Sequence, residues 1–456
     1  MSRARALALF IAAAAAFSAS IVVYRLVYVT NPGLWSHTDE WVYWAAGRVV
    51  RHDPANLYVV RLGEPLAFKL PFTYPPFAAW LFSFLSGFTF RAWEIALVVL
   101  DLTLMPVITY LSLRIAGHRG SRNIWIALAL AAIALWLEPV FSTMFFGQIN
   151  LILLTLILVD FALPDSCRWK GICTGIAAGI KLTPLIFIPY LFVTRRIRAG
   201  VVSLLTFGAT VGLGFLTMPT AARDYWAGLP SGPGGASKMV NQSLNGVIQR
   251  FLHGQAPAST VWAVTALVVA TAGVALAGIA GRRGLELLGV LLCGITGLLV
   301  SPISWTHHWV WVVPALVLVT TGMRPSPDRG LATVRPVRRR THLATIAAKV
   351  LGTAALLGLF VEWPGSRPFG RHDTLLPHGL LRLVPWSGDQ VYTWRGATWL
   401  LGNAYVLAGL AALIGAGVYL WLTGRHARRT ARVAPVSPAQ RETREPPVPV
   451  GAGSRR

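Results

Sequence analysis

Apolar runs of about 15 to 22 residues recur along most of this 456-residue chain, and no other feature limits its fold so tightly. Hydrocarbon offers no partner for a free backbone N–H or C=O, so a run that crosses lipid must be helical. The expectation is an all-α polytopic membrane protein. Composition agrees, since 55% of residues are apolar and only 13% are charged.

The net charge is +24, and its placement decides what it means. The positives gather in short gaps between apolar runs: the N-terminus, Arg114 to Arg122, Arg168 with Lys170, Arg195 to Arg198, Arg282 with Arg283, Arg324 to Arg340, and the tail from Arg425. That is the pattern of cytoplasmic loops held by the positive-inside rule, and it argues against a nucleic-acid partner. Cys167, Cys173 and Cys293 have no paired spacing, so neither a disulfide framework nor a metal site is expected. The run after Arg3 and Arg5 is long and lacks a clean cleavage site before Arg25, which reads as a retained first helix rather than a leader.

If every basic gap faces the cytoplasm, the runs between them come in pairs. The expected spans are 6–24, 93–113, 123–137, 148–163, 199–218, 259–280, 285–300, 309–323, 343–361 and 397–422. Segments 25–92, 138–147, 219–258, 301–308 and 362–396 then lie outside. Both termini are cytoplasmic in a multi-pass plasma-membrane protein. Residues 1–429 form the membrane domain, and the Pro- and charge-rich stretch 430–456 is expected to be a disordered tail.

Two segments resist simple pairing. The apolar stretch 76–90 would invert the loop at Arg114 if it crossed, so it reads as an interfacial helix in the first outer loop. Residues 171–193 carry positives on both flanks. Two half-length legs meeting near Lys181 satisfy both, each covering only about 16 Å of a roughly 30 Å core. Broken half-helices belong around an internal cavity, which brings Lys181 to a pocket reached from outside.

Several polar groups stand where chemistry could use them. Asp39, in the first outer loop, sits at the start of a short helix that Ser36 or Thr38 can cap. Its carboxylate suits a general base, or merely favours a helix N-terminus together with Glu40. Tyr74, in FTYPPF, marks the interface, where its prolines have mainly a structural role. Gln148 and Asn150, in FGQIN, could bind sugar hydroxyls or cap a helix. Lys181, in GIKLTP, is an ammonium at membrane depth, a functional candidate suited to a phosphate. Pairing with Asp101 or snorkelling would also explain it.

In the outer loops, Asn241, Gln242, Asn245 and Arg250 could hold a sugar or headgroup, or simply solvate the chain. His307 and His308 open a span framed by Trp305, Trp309 and Trp311. Adjacent histidines point about 100° apart on a helix, so they do not readily share a metal; one could donate to a phosphate or sugar oxygen. The chain has no P-loop, no G-x-G-x-x-G and no cytoplasmic domain for a nucleotide, which argues against an ATP-driven pump.

Taken in order, DEWVY at 39–43, TYPPF at 73–77, FGQIN at 146–150, GIKLTP at 179–184, NQSLNG at 241–246 and SPISWTHH at 301–308 resemble glycosyltransferase family 87. These are the GT-C-type mannosyltransferases of actinobacteria that include the phosphatidylinositol-mannoside enzymes. The resemblance covers roughly residues 35 to 320. It implies a GT-C-type fold of about 12 transmembrane helices with short interfacial helices in the first outer loop. It also implies inverting transfer of mannose from a polyprenyl-phosphate donor to a glycolipid or lipoglycan on the outer face. Asp39 matches the family's catalytic base, and Lys181 with His307 or His308 would lie near the donor phosphate. Glu40 and Trp41 depart from the family's usual residues after the acid, which leaves acceptor and sugar choice open. The resemblance calls for no cofactor and no protein partner, and metal need is open. The rival readings are a transporter or flippase, for which inverted repeats are absent, and a related transferase moving another sugar such as arabinose.

Overall fold

The computed structural model describes residues 2–30, 36–63, 69–228, 235–323, 342–362, 379–385 and 388–433. The basic gap 324–340 and the tail beyond Val433 lie outside the described residues. What is described is overwhelmingly helical.

The first helix, α1 (Arg3–Thr30), is 28 residues long and carries the expected first span past Tyr24 into the loop. The loop then forms α2 (Thr38–His52), a two-residue antiparallel ribbon of β1 (Arg61–Leu62) with β2 (Leu70–Pro71), and α3 (Pro76–Leu85). Pro75 and Pro76 set the extended approach and first turn of α3, which packs on α2. Next, α4 (Phe90–Ile115) starts where Thr89 Oγ1 accepts from the Ala92 N–H at 3.2 Å, and α5 (Arg122–Ala134) follows.

Residues 138–147, expected as an outer turn, instead form α6 (Glu138–Phe146), eight of whose nine residues are buried. It is bent 119° against α7 (Asn150–Ala162) at Gly147. The short polar-looking stretch Glu138–Pro139 hid this helix, because proline in the first turn starts a helix as readily as it marks a loop.

The break at Lys181 is present. The chain runs from α8 (Ile172–Ile180) into extended backbone at Lys181 (φ −146°, ψ 135°), a 3₁₀ turn at Thr183–Ile186, and α9 (Phe187–Val193). Gly175 and Gly179 let α8 lie close against α10 (Ile197–Thr217); a Cβ at 175 would stand 2.6 Å from the Ser203 carbonyl oxygen. Asp160 Oδ2 accepts from the Thr174 N–H at 2.7 Å and fixes the start of α8. The flanking positives are also tied down: Arg196 donates to Glu286 at 2.8 Å and Lys170 to Asp165 at 2.8 Å.

The chain continues through α11 (Pro219–Trp226), α12 (Leu244–Phe251), α13 (Pro257–Arg282), α14 (Glu286–Val300), a 3₁₀ turn at Thr306–Trp311 and α15 (Val312–Thr321). It ends with α16 (His342–Phe360), α17 (Gly396–Gly402) and α18 (Ala404–Val433). Among the described residues, α1, α4, α10, α13 and α18 are long and apolar enough to cross a bilayer, and the bent α6–α7 pair makes up to six. The other apolar segments, such as α5 with 13 residues and α14 with 15, fall short of the roughly 20 residues a crossing needs. Length and composition thus support five or six crossings; the ten spans drawn from loop charge and the dozen that the resemblance implies go beyond them.

Candidate active site

Asp39 lies in the first turn of α2, but neither Ser36 nor Thr38 caps that helix. His37 occupies the cap position in a left-handed conformation (φ 45°), and Ser36 Oγ and Thr38 Oγ1 bond each other instead. The entry is held from outside the helix: the backbone N–H groups of Ser36 and His37 both donate to the Phe145 carbonyl at 3.2 Å, at the end of α6. Buried Glu40, next to Asp39, turns away from it. Its carboxylate meets His37 Nδ1 at 2.9 Å, and His37 Nε2 lies 3.1 Å from Glu94 of α4. Adjacent helical residues point in different directions, so the two acids serve different neighbourhoods.

Gly147 brings the α6–α7 turn onto this helix. It adopts φ +66°, and a side chain there would collide with Glu40, whose Oε2 would stand 2.6 Å from the new Cβ. The next residue, Gln148, is buried, and its Oε1 accepts from Tyr43 Oη at 2.9 Å and Tyr74 Oη at 3.2 Å. The two phenols are themselves 2.7 Å apart.

Asn150, two residues on, bridges two other parts of the site. Its Oδ1 accepts from Lys181 Nζ at 3.1 Å, and its Nδ2 donates to the His307 carbonyl at 2.9 Å. Lys181 Nζ also lies 3.0 Å from His308 Nε2 and 5.3 Å from the centre of the Tyr74 ring. An ammonium donating to Nε2 leaves the proton of a neutral His308 on Nδ1. Lys181 therefore pairs with an amide and an imidazole, not with Asp101, whose charged neighbour is Glu40. The His307 ring is buried against Phe146 at 5.3 Å between ring centres, and its Nε2 has no protein partner.

These groups share one cavity of about 2140 Å³, lined by Asp39, Tyr74, Gln148, Lys181, His307 and His308 among others. That volume exceeds the roughly 300–1,000 Å³ of an ordinary small-molecule site. Burial pushes the Asp39 carboxyl up to about 6, against the lowering effects of a hydrogen bond from Gln148 and the charge of Lys181. Burial likewise raises Glu40, opposed by His37.

Six of the eleven residues singled out in the sequence thus meet at one chamber, and a seventh, Asn150, is bonded to two of them. The other four are turned into protein. Asn241 donates to the Ala236 carbonyl and accepts from the Ser304 N–H, Gln242 donates to Met239 and Gly402, and Asn245 donates to Pro302. Arg250 is spent on Asn403 and on backbone carbonyls at Lys238 and Asn241. They fasten the loop after Pro302 that carries the histidines. Tyr43 is the member that the sequence did not single out; its place four residues after Asp39, on the same helix face, is the signal that would have found it. Among the described residues, no group of three or more His, Cys, Asp or Glu is arranged to hold a metal.

Apolar helices around a chamber lined by both a carboxylate and an ammonium fit a membrane protein with a substrate site. The comparisons with known proteins agree. Residues 72–302 match the profile of glycosyltransferase family 87. A Mycobacterium tuberculosis protein, polyprenol-phosphate-mannose-dependent alpha-(1-2)-phosphatidylinositol pentamannoside mannosyltransferase, is 34% identical over 388 residues, 82% of this chain and 80% of that one. The corresponding phosphatidylinositol mannoside mannosyltransferase of that species is 33% identical over 270 residues, covering 56% of this chain and 63% of the relative. A Mycolicibacterium smegmatis pentamannoside mannosyltransferase is 36% identical over 285 residues, 59% of this chain and 66% of its own. These last two alignments span just under two thirds of the relatives' length. No solved structure matches the chain. The chain belongs to glycosyltransferase family 87.

Proposed function

We propose that the protein transfers a mannosyl residue from a polyprenyl-phosphate-mannose donor to a glycolipid or lipoglycan acceptor on the outer face of the plasma membrane, with inversion. The observation that carries this reading is that Asp39 and Lys181 line one chamber, where the charge of each acts on the other. The names of the relatives supply the donor and the class of acceptor. The transporter reading is not favoured beside membership of a transferase family, and the same names favour mannose over arabinose.

In the proposed reaction the bond from the anomeric carbon to the phosphate oxygen breaks, and its electron pair stays on the polyprenyl phosphate. Lys181 stabilises the charge that collects there, and the free Nε2 of His307 is a second polar contact for a phosphate or sugar oxygen. The acceptor hydroxyl oxygen bonds to the same carbon from the opposite face and gives its proton to Asp39. A carboxyl raised to about 6 remains ionised at neutral pH and is a stronger base than an ordinary aspartate. A lipid-borne leaving group explains why the cation stands beside broken half-helices and why no nucleotide fold is needed.

Asp39→Asn keeps the shape and removes the base. Membranes containing that variant, given labelled polyprenyl-phosphate mannose, should lose transfer by on the order of 10²–10⁴-fold while the protein stays inserted. Near-normal product would take Asp39 out of the role. Mass spectrometry of envelope glycolipids with and without the protein identifies the acceptor, which should accumulate one mannose short in its absence.

A further inference from the structure

The buried Gln148 side chain bonds two phenols through its oxygen and turns its other end toward Asp39, so the two ends are not interchangeable. Its oxygen lies within reach of Tyr43 Oη at 2.9 Å and Tyr74 Oη at 3.2 Å, and the phenols are 2.7 Å from each other. Each phenol has one proton, and only one of the two can be spent between them, so at least one hydroxyl donates to Gln148. Burial raises both phenols, so both keep their protons at neutral pH. The other end of the amide acts on Asp39 as a hydrogen-bond donor. A flipped amide would turn its oxygen on the carboxylate and its N–H groups on two hydroxyls that need an acceptor. The backbone is fixed as well: Gln148 N–H donates to the Thr143 carbonyl at 2.9 Å, directly after the left-handed Gly147.

We infer that Gln148 is a positioning residue for the base: Tyr43 and Tyr74 anchor its carbonyl so that its N–H is delivered to the Asp39 carboxylate. One carboxylate lone pair is then occupied by protein, which orients the group and leaves the others for the acceptor hydroxyl. This gives Gln148 a different task from holding sugar hydroxyls, and it rests on the reading of Asp39 as the base.

The charged and titratable groups acting on Asp39 are Lys181 from the break, Tyr43 from its own helix and Tyr74 from the preceding loop. Glu40 and, from α4, Glu94 face His37 instead, while His307 and His308 lie beside Lys181. Removing the Gln148 donor therefore leaves a defined set, and the carboxyl must rise.

The test is the pH profile of kcat/KM in membranes, with polyprenyl-phosphate mannose as donor, for Gln148→Met and for the pair Tyr43→Phe with Tyr74→Phe. Gln148→Met keeps the bulk and removes both ends of the amide. Its acid limb should move upward by about half to one pH unit, read as a roughly two- to fivefold loss at pH 6 with the rate at pH 8 lowered much less. The double phenylalanine variant frees the amide to turn and should shift the limb in the same direction by a smaller amount. It keeps the proposal testable if Gln148→Met fails to insert. An unmoved limb with a raised KM for acceptor or donor would make Gln148 a substrate ligand and overturn the inference. Asp39→Asn separates the two failures. If that variant is inactive while both limbs stay put, only the positioning role falls; if it is active, the base assignment falls and the inference with it.

Discussion

Lys181 has protein partners for only part of its hydrogen-bonding capacity: one amide oxygen, one imidazole nitrogen and the face of one phenol ring. Among the described residues no carboxylate bonds it, so its charge remains available to an incoming anion. Lys181→Ala should therefore raise the donor concentration needed for half-maximal rate by about tenfold or more, with a smaller effect on acceptor dependence. An unchanged donor dependence would count against phosphate contact. The pH dependence has a definite sign. Asp39 must be ionised to accept a proton, and its carboxyl is raised from the usual aspartate value to about 6. Activity should fall by about a decade per unit as pH drops below about 6, and not wait until about 4; a pH–rate profile of the intact protein checks this. Lys181 was legible in the sequence because charge in an apolar setting is costly and demands a reason, whereas Asp39 stood out by its place at a helix start and in the DEWVY motif. The amides at 241–250 were less so. An Asn that binds sugar and one that ties down a loop look alike until the carbonyls around it are seen.

At the scale of elements, the turn between α6 and α7 governs the site more than any span does. Gly147→Ala combines an unfavourable φ with a collision at Glu40 and should destabilise the protein by roughly 1–3 kcal/mol. A lowered melting midpoint in detergent, without any change in the protein's insertion, is the measurement. The break after α8 could be read from flanking positives alone, because parity of crossings is a strong constraint. α6 could not: nine residues opening on a Glu and a Pro are too short for a hydropathy window and too polar at the start to suggest a buried helix. Its neighbours, not its own periodicity, make it helical.

For the whole molecule, topology follows from where the chamber opens. Ser237 lines the chamber and Cys167 lies in a basic turn. In a chain with Cys167 and Cys173 replaced by alanine, Ser237→Cys should react with a membrane-impermeant maleimide in intact cells. In the unmodified chain, Cys167 should react only after the membrane is opened; the reverse pattern would invert the proposed orientation. On the proposed function the large, mostly apolar chamber also has to admit a donor with a long hydrocarbon tail. Asn150 holds the cation with its oxygen and the histidine backbone with its nitrogen, and Lys181 itself reaches His308, so the half-helix break and the loop after Pro302 are tied together. Opening one of them drags the other along, and the headgroup then meets its ammonium and its imidazole in one docking event, not two.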